Sequence, residues 1–92
     1  MENFDSLFQV ILNLHTVEEC RKFFEDVCTI KEMQAISQRL EVAELLSKGK
    51  NYQEISKTTG ASTATISRVA KCLNYGAGGY RLVLDQKEKN NQ

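Results

Sequence analysis

The chain has 92 residues, a formal net charge of zero, no proline, three cysteines and one histidine. That length suits one small domain rather than two, and no run of 18 apolar residues offers a membrane span. Zero net charge excludes a uniformly basic nucleic-acid binder, and one histidine with no CxxC pair excludes any metal-ligand spacing.

The start, Met1-Glu2-Asn3-Phe4-Asp5, lacks the basic opening of a signal peptide, so a cytoplasmic protein is expected. With no proline and no β-type alternation before residue 80, the pattern is all-α. A first helix is predicted over 4–14, where Phe4, Leu7, Phe8, Ile11 and Leu12 form a broad apolar face. Val10 and Leu14 add apolar surface beside it, so this helix needs cover on more than one side, which a second subunit could supply. His15 reads as a linker residue. Thr16 and Glu19 form a capping box, with Glu19 expected to reach back to the Thr16 N–H. The second helix runs over 17–27, with Val17, Cys20, Phe23, Phe24 and Val27 on its apolar face.

Thr29 and Glu32 make another capping box, opening the longest helix over 30–48, which Gly49 stops. Its stripe of Met33, Ile36, Leu40, Ala43 and Leu46, widened by Ala35, Val42 and Leu45, suits a central helix. Arg39 is a cation within it, expected to be solvated or ion-paired, for example with Glu32 or Glu44. The three cysteines, Cys20, Cys28 and Cys72, read as small buried thiols in a reducing compartment.

Residues 51–74 read as a helix-turn-helix. Asn51 caps the first helix, with Glu54 three residues on, and Tyr52, Ile55 and Thr59 are expected to face inward. Ser56 is small enough for the two helices to approach closely. Gly60 supplies a left-handed turn, Ala61 tucks beneath it, and Ser62 caps the second helix. Ile66, Val69, Ala70 and Leu73 then face the core, leaving Thr63, Ala64, Ser67, Arg68 and Lys71 outward. Thr59 breaks the pattern, because an apolar residue is usual before the glycine. Charge concentrates in the same stretch. Residues 50–74 carry Lys50, Lys57, Arg68 and Lys71 against Glu54, a net of +3, whereas residues 1–49 carry nine acids and five bases, a net of −4. A basic patch there is where phosphate contacts would be made.

Gly76, Gly78 and Gly79 end the second helix in a flexible or tight turn. They do not form a phosphate loop, since no Gly-Lys-Ser/Thr follows. Residues 80–85 are apolar enough to dock as a short strand or one helical turn. Residues 86–92 read as a polar, disordered tail, leaving 1–85 as a single helical domain.

Over residues 26–85 the sequence resembles the Trp repressor superfamily, in particular its small YerC/YecD-type branch. The motif carrying this is Gly60-Ala61-Ser62-Thr63-Ala64-Thr65-Ile66-Ser67-Arg68, with Thr29, Arg39 and Leu45-Leu46-Ser47-Lys48-Gly49 also matching. The segment from Cys72 to Asp85 is similar to the branch rather than to the Trp repressor itself. The resemblance implies an intertwined all-α homodimer that binds operator DNA. It also implies an effector site for L-tryptophan as corepressor, with Thr29, Arg39, Thr65 and Arg68 at the ligand positions. Two departures argue against tryptophan. Val69 stands where the repressor has a glycine against the indole ring, and Cys72 stands in place of a serine.

The expected function is sequence-specific regulation of transcription on double-stranded DNA, as a repressor. Lys50, Lys57 and Lys71 would meet phosphates, together with the Ser62–Thr65 backbone at the helix N-terminus. Thr63, Ala64 and Ser67 would face base edges, and Gln53 and Arg68 complete the expected DNA-facing set. Without a bidentate Arg, Asn or Gln at the helix start, water and DNA shape should contribute to readout. The alternative is a helical protein-interaction module of the transcription machinery. An enzyme is not expected, since no paired carboxylates or nucleophile set is present.

Overall fold

The computed structural model of the chain describes residues 2–90. Six helices follow one another: α1 (Asp5–Leu12), α2 (Val17–Val27), α3 (Ile30–Ser47), α4 (Tyr52–Thr59), α5 (Thr63–Tyr75) and α6 (Gly79–Asn90). Among the described residues there is no strand, as the sequence pattern predicts. Contacts divide the chain into two compact units, up to Met33 and from Gln34 onward.

In the first unit neither α1 nor α2 has a fully buried residue. Phe4, Leu7, Phe8, Val10 and Leu12 stay exposed in the single chain. α1 ends at Leu12, two residues before the predicted end. Its last turn tightens instead, with the N–H groups of Asn13 and Leu14 bonding the carbonyls three residues back. The Thr16 hydroxyl accepts from the Glu19 N–H at 3.0 Å, as the capping box predicts. The Glu19 carboxylate differs from expectation, because it accepts from the His15 N–H at 2.8 Å rather than from Thr16. Phe23 and Phe24 meet edge to face, 5.2 Å apart at 85°. At the start of α3 the second box is complete. The Thr29 hydroxyl accepts from the Glu32 N–H at 3.1 Å, and the Glu32 carboxylate accepts from the Thr29 N–H at 2.8 Å. That backbone bond holds the Glu32 carboxyl below its ordinary pKa.

The second unit contains the core. Val42 and Ala43 of α3, Ile55 of α4, Ala61 in the turn, and Ile66 and Val69 of α5 form one buried cluster, with Leu45, Leu46, Tyr80 and Leu84 packed against it. Each large aliphatic side chain buried there contributes about 1.5–3 kcal/mol. α3 ends in a paired motif, Lys50 N–H to Leu45 carbonyl and Gly49 N–H to Leu46 carbonyl, which satisfies carbonyls the helix leaves open. α4 follows after a short link, so the helix-turn-helix is held directly against α3.

Several expectations are corrected. Residues 80–85 are neither a strand nor one helical turn, and the tail from residue 86 is not irregular. Both belong to α6, which continues to Asn90; Asn91 and Gln92 lie outside the described residues. The physical reason is that Tyr80 and Leu84, one turn apart, dock on the core, while Lys87 on the same face bonds the Glu44 carboxylate. That bond comes first among the causes holding the Glu44 carboxyl below its ordinary pKa. Of the two readings of Arg39 the ion-paired one drops out, since among the described residues it makes no ion pair while Glu32 is engaged by Thr29 and Glu44 by Lys48 and Lys87. Tyr52 is exposed rather than inward. The thiols are less covered than expected, with Cys20 and Cys28 half-buried and Cys72 exposed.

Candidate nucleic-acid interface

The interface is built on α4, the turn and α5. The Asn51 side chain accepts from the Glu54 N–H at 2.9 Å and donates back to its carboxylate at 3.2 Å, which starts α4. Gly60 ends it with φ +76°, a left-handed conformation that costs an L side chain about 1–2 kcal/mol. Side-chain hydroxyls then fold the turn. Ser56 Oγ donates to the Ala61 carbonyl at 2.8 Å. Thr59 Oγ1 donates to the Ile55 carbonyl at 2.7 Å and accepts from the Ala61 N–H at 3.1 Å. Thr59 therefore spans the turn by hydrogen bonding where an apolar residue would span it by packing. Ser62 caps α5, accepting from the Thr65 N–H at 3.1 Å.

On α5 the buried residues are Ile66, Val69 and Leu73, which fixes the opposite side. Thr63, Ala64, Ser67, Arg68 and Lys71 are all exposed, and so is Ser62. Lys50, Gln53 and Lys57 are exposed before the turn. Lys50 and Lys57 line one shallow cleft of about 240 Å³ with Leu45, Glu54 and Thr58. Thr65 is the exception among the expected DNA-facing residues. It is half-buried, and its hydroxyl accepts from Ser62 Oγ at 3.1 Å. The first N–H groups of α5 have no intrahelical partner, and a helix start of this kind favours an anion.

The expected effector residues do not converge in the second unit. Arg39 lines an open, mainly apolar cavity of about 480 Å³ together with Ile36, Leu40, Cys72, Tyr80 and Val83. Thr65 and Arg68 do not line it, and Arg68 is exposed. Val69 is 1% exposed and belongs to the core cluster. Thr29, in the first unit, caps α3. Tyr80 and Val83 are not singled out by the sequence, because residues 80–85 read equally as a short strand or one helical turn and neither fixes which side chains face the cavity. Gln38 was not singled out either, and it proves to donate to the Thr59 carbonyl at 3.1 Å. No spacing rule marks a glutamine on a half-buried helix face. Among the described residues no group of three or more His, Cys, Asp or Glu could hold a metal ion. No helix there is long and apolar enough to cross a membrane.

These features define a small all-helical domain that presents an outward, basic helix-turn-helix. The family model of the Trp repressor protein matches residues 2–88, and the chain belongs to the Trp repressor family. It is 56% identical over 82 residues to the uncharacterized protein YerC of Bacillus subtilis strain 168, covering 89% of this chain and 79% of that protein. A crystal structure from Staphylococcus aureus, of a chain proposed as a Trp repressor, superposes with a TM-score of 0.89 at 47% identity, covering 92% of this chain and 85% of that one. A TrpR-like protein from Eubacterium eligens ATCC 27750 superposes with a TM-score of 0.89 at 51% identity, covering 91% and 87%. Proteins of this family are regulators rather than enzymes, and the family links the fold to DNA binding.

Proposed function

We propose that the protein is a sequence-specific transcriptional repressor that acts in the cytoplasm as a homodimer, inserting α5 into the major groove of double-stranded DNA. The observation that carries this reading is the two-sidedness of α5. Ile66 and Val69 anchor it by full burial, and Thr63, Ala64, Ser67, Arg68 and Lys71 occupy the free side. Thr63 and Ala64 suit thymine methyls, and Ser67 suits a base edge. Lys50, Lys57 and Lys71 supply phosphate contacts, with Gln53 at the start of α4 and the backbone of Ser62 and Thr65 at the start of α5.

The dimer is supported by apolar surface that the single chain does not cover. In the first unit Leu12 is 78% exposed, and Phe4, Phe8, Val27 and Ile30 are exposed too; in the second, Tyr75 is 86% exposed. So many large apolar side chains left in water on so short a chain favour burial against a second copy, and a two-fold pair would place its α5 helices in successive grooves, about 34 Å apart. DNA binding would then need no L-tryptophan, because Val69 fills space in the core.

Selection from random duplexes, followed by fluorescence anisotropy across a salt series, tests the reading. Lys71→Ala should weaken all duplexes by a similar factor and reduce the salt slope by about 1. Ser67→Ala should change preference at one base position. Absence of binding at low salt would remove the proposal. Calorimetry with L-tryptophan tests the effector, and a tryptophan-dependent gain in DNA affinity would overturn the ungated reading.

A further inference from the structure

We propose that Gln38 is a positioning residue for the recognition helix, its side-chain amide tying the α4–α5 turn to α3. The inference rests on the DNA-reading proposal above. Gln38 lies on α3, half-buried, and its Nε2 donates to the carbonyl of Thr59, 21 residues away, at 3.1 Å. That carbonyl belongs to the last residue of α4, where a helix leaves its acceptors without intrahelical partners. Among the described residues this is the one side-chain hydrogen bond that reaches the turn from outside the α4–α5 pair. A Cβ built on Gly60 would come within 4.0 Å of the same Nε2, so the amide lies over the turn itself.

The argument concerns direction. The core contacts of Val42 and Ala43 with Ile55, Ala61, Ile66 and Val69 hold the pair strongly, but apolar burial is non-directional. A hydrogen bond weakens steeply with angle and so fixes an orientation. Thr59 sits three residues before Ser62, the cap of α5. Between them the chain is tied by the Thr59 and Ser56 hydroxyls to Ala61. A rotation at Thr59 is therefore passed to Thr63, Ala64 and Ser67. Readout of a base edge depends on that same orientation, whereas a phosphate contact through a lysine side chain tolerates its loss. Gln38 and Thr59 form one polar latch in place of an apolar plug at the turn. Gln38 touches no DNA and acts through Thr59.

The test compares the parent with Gln38→Met, which keeps length and lacks the donor. Affinities for the selected duplex and for an unrelated duplex are measured together, with circular dichroism and amide exchange. The expected result is a loss of about fivefold to tenfold in the specific-to-unrelated affinity ratio. Unrelated affinity and helix content should stay unchanged, and exchange should quicken at Gly60 and Ala61 but not at Ile66 and Val69. A simple loss of folded protein would lower both affinities together and leave the ratio unmoved, which overturns the inference. A parent that discriminates between duplexes and a variant that does so equally well also overturn it, while leaving the function standing. A parent that binds no duplex removes the function and this inference with it.

Discussion

Gly60→Ala isolates the cost of the turn from any cost of crowding. The position has φ +76°, where an L side chain pays about 1–2 kcal/mol for the approach of its Cβ to the neighbouring carbonyl. Space is not the obstacle, since the nearest atom to an added Cβ is Gln38 Nε2 at 4.0 Å, an ordinary contact. Reduced freedom of the unfolded chain returns about 0.4–1 kcal/mol. The net expectation is a destabilisation of about 1 kcal/mol. Gly60→Asn should cost less, because asparagine visits the left-handed region more readily, and Gly60→Val should cost more, because its branched Cβ tolerates that region least. Urea titration at one fixed protein concentration reads the series, with a midpoint shift of roughly 0.5–1 M for alanine at a slope of about 1–2 kcal/mol/M. Equal losses for Asn, Ala and Val, or a stabilised alanine variant, would refute the strain argument. Gly76→Ala is the useful contrast. Its φ of −84° is ordinary, yet a Cβ there would lie 2.4 Å from the Cys72 carbonyl oxygen. The loss should come from displacement of the α5–α6 link, and Asn should bring no relief there.

Two further outcomes follow from packing and charge. Ile66→Ala removes a side chain with 0% exposure from the centre of the core and should cost about 2–5 kcal/mol in the same titration, more than any exposed α5 substitution. The Glu44 carboxyl is held below its ordinary value of 4.5, chiefly by its hydrogen bond from Lys87. A depressed folded pKa contributes stability above the unfolded value that is lost as pH falls through the folded one. Thermal melts should therefore drop as pH falls below about 4.5, and Glu44→Gln should flatten that part of the profile. An unchanged profile would show that the Lys87 bond does not hold α6.

The parts legible in the sequence were those set by local chemistry. Thr16, Thr29, Asn51 and Ser62 each announce a helix start by a cap whose partner lies three residues on. Gly49 and Gly60 announce ends. The outer face of α5 followed from the spacing of Ile66, Val69 and Leu73, since a helix buried on those residues must show Thr63, Ser67 and Lys71 elsewhere. What escaped was set by distant partners. The docking of residues 80–85 was legible but their conformation was not, and the end of α6 reads as a polar tail because Lys87 finds its partner Glu44 far away in sequence. Thr59 looked like a defect for the same reason, since its role depends on Gln38 and on a turn geometry that no spacing rule encodes.

A ligand seated beneath α5 between Arg39 and Arg68 would compete with Val69 for space in the core. Successive helix residues point about 100° apart, and Val69, next to Arg68, is buried among Ile55, Ile66 and Ala61. A ligand there would displace Val69 from that cluster, exposing a side chain whose burial contributes about 1.5–3 kcal/mol. A glycine at 69 would carry no such commitment. With valine there, Arg68 stays on the outer face with Ser67 and Lys71, and Arg39 keeps to the cavity it shares with Cys72 and Tyr80. The residue that fastens the recognition helix to α3 is therefore the same one that a ligand beneath α5 would have to displace.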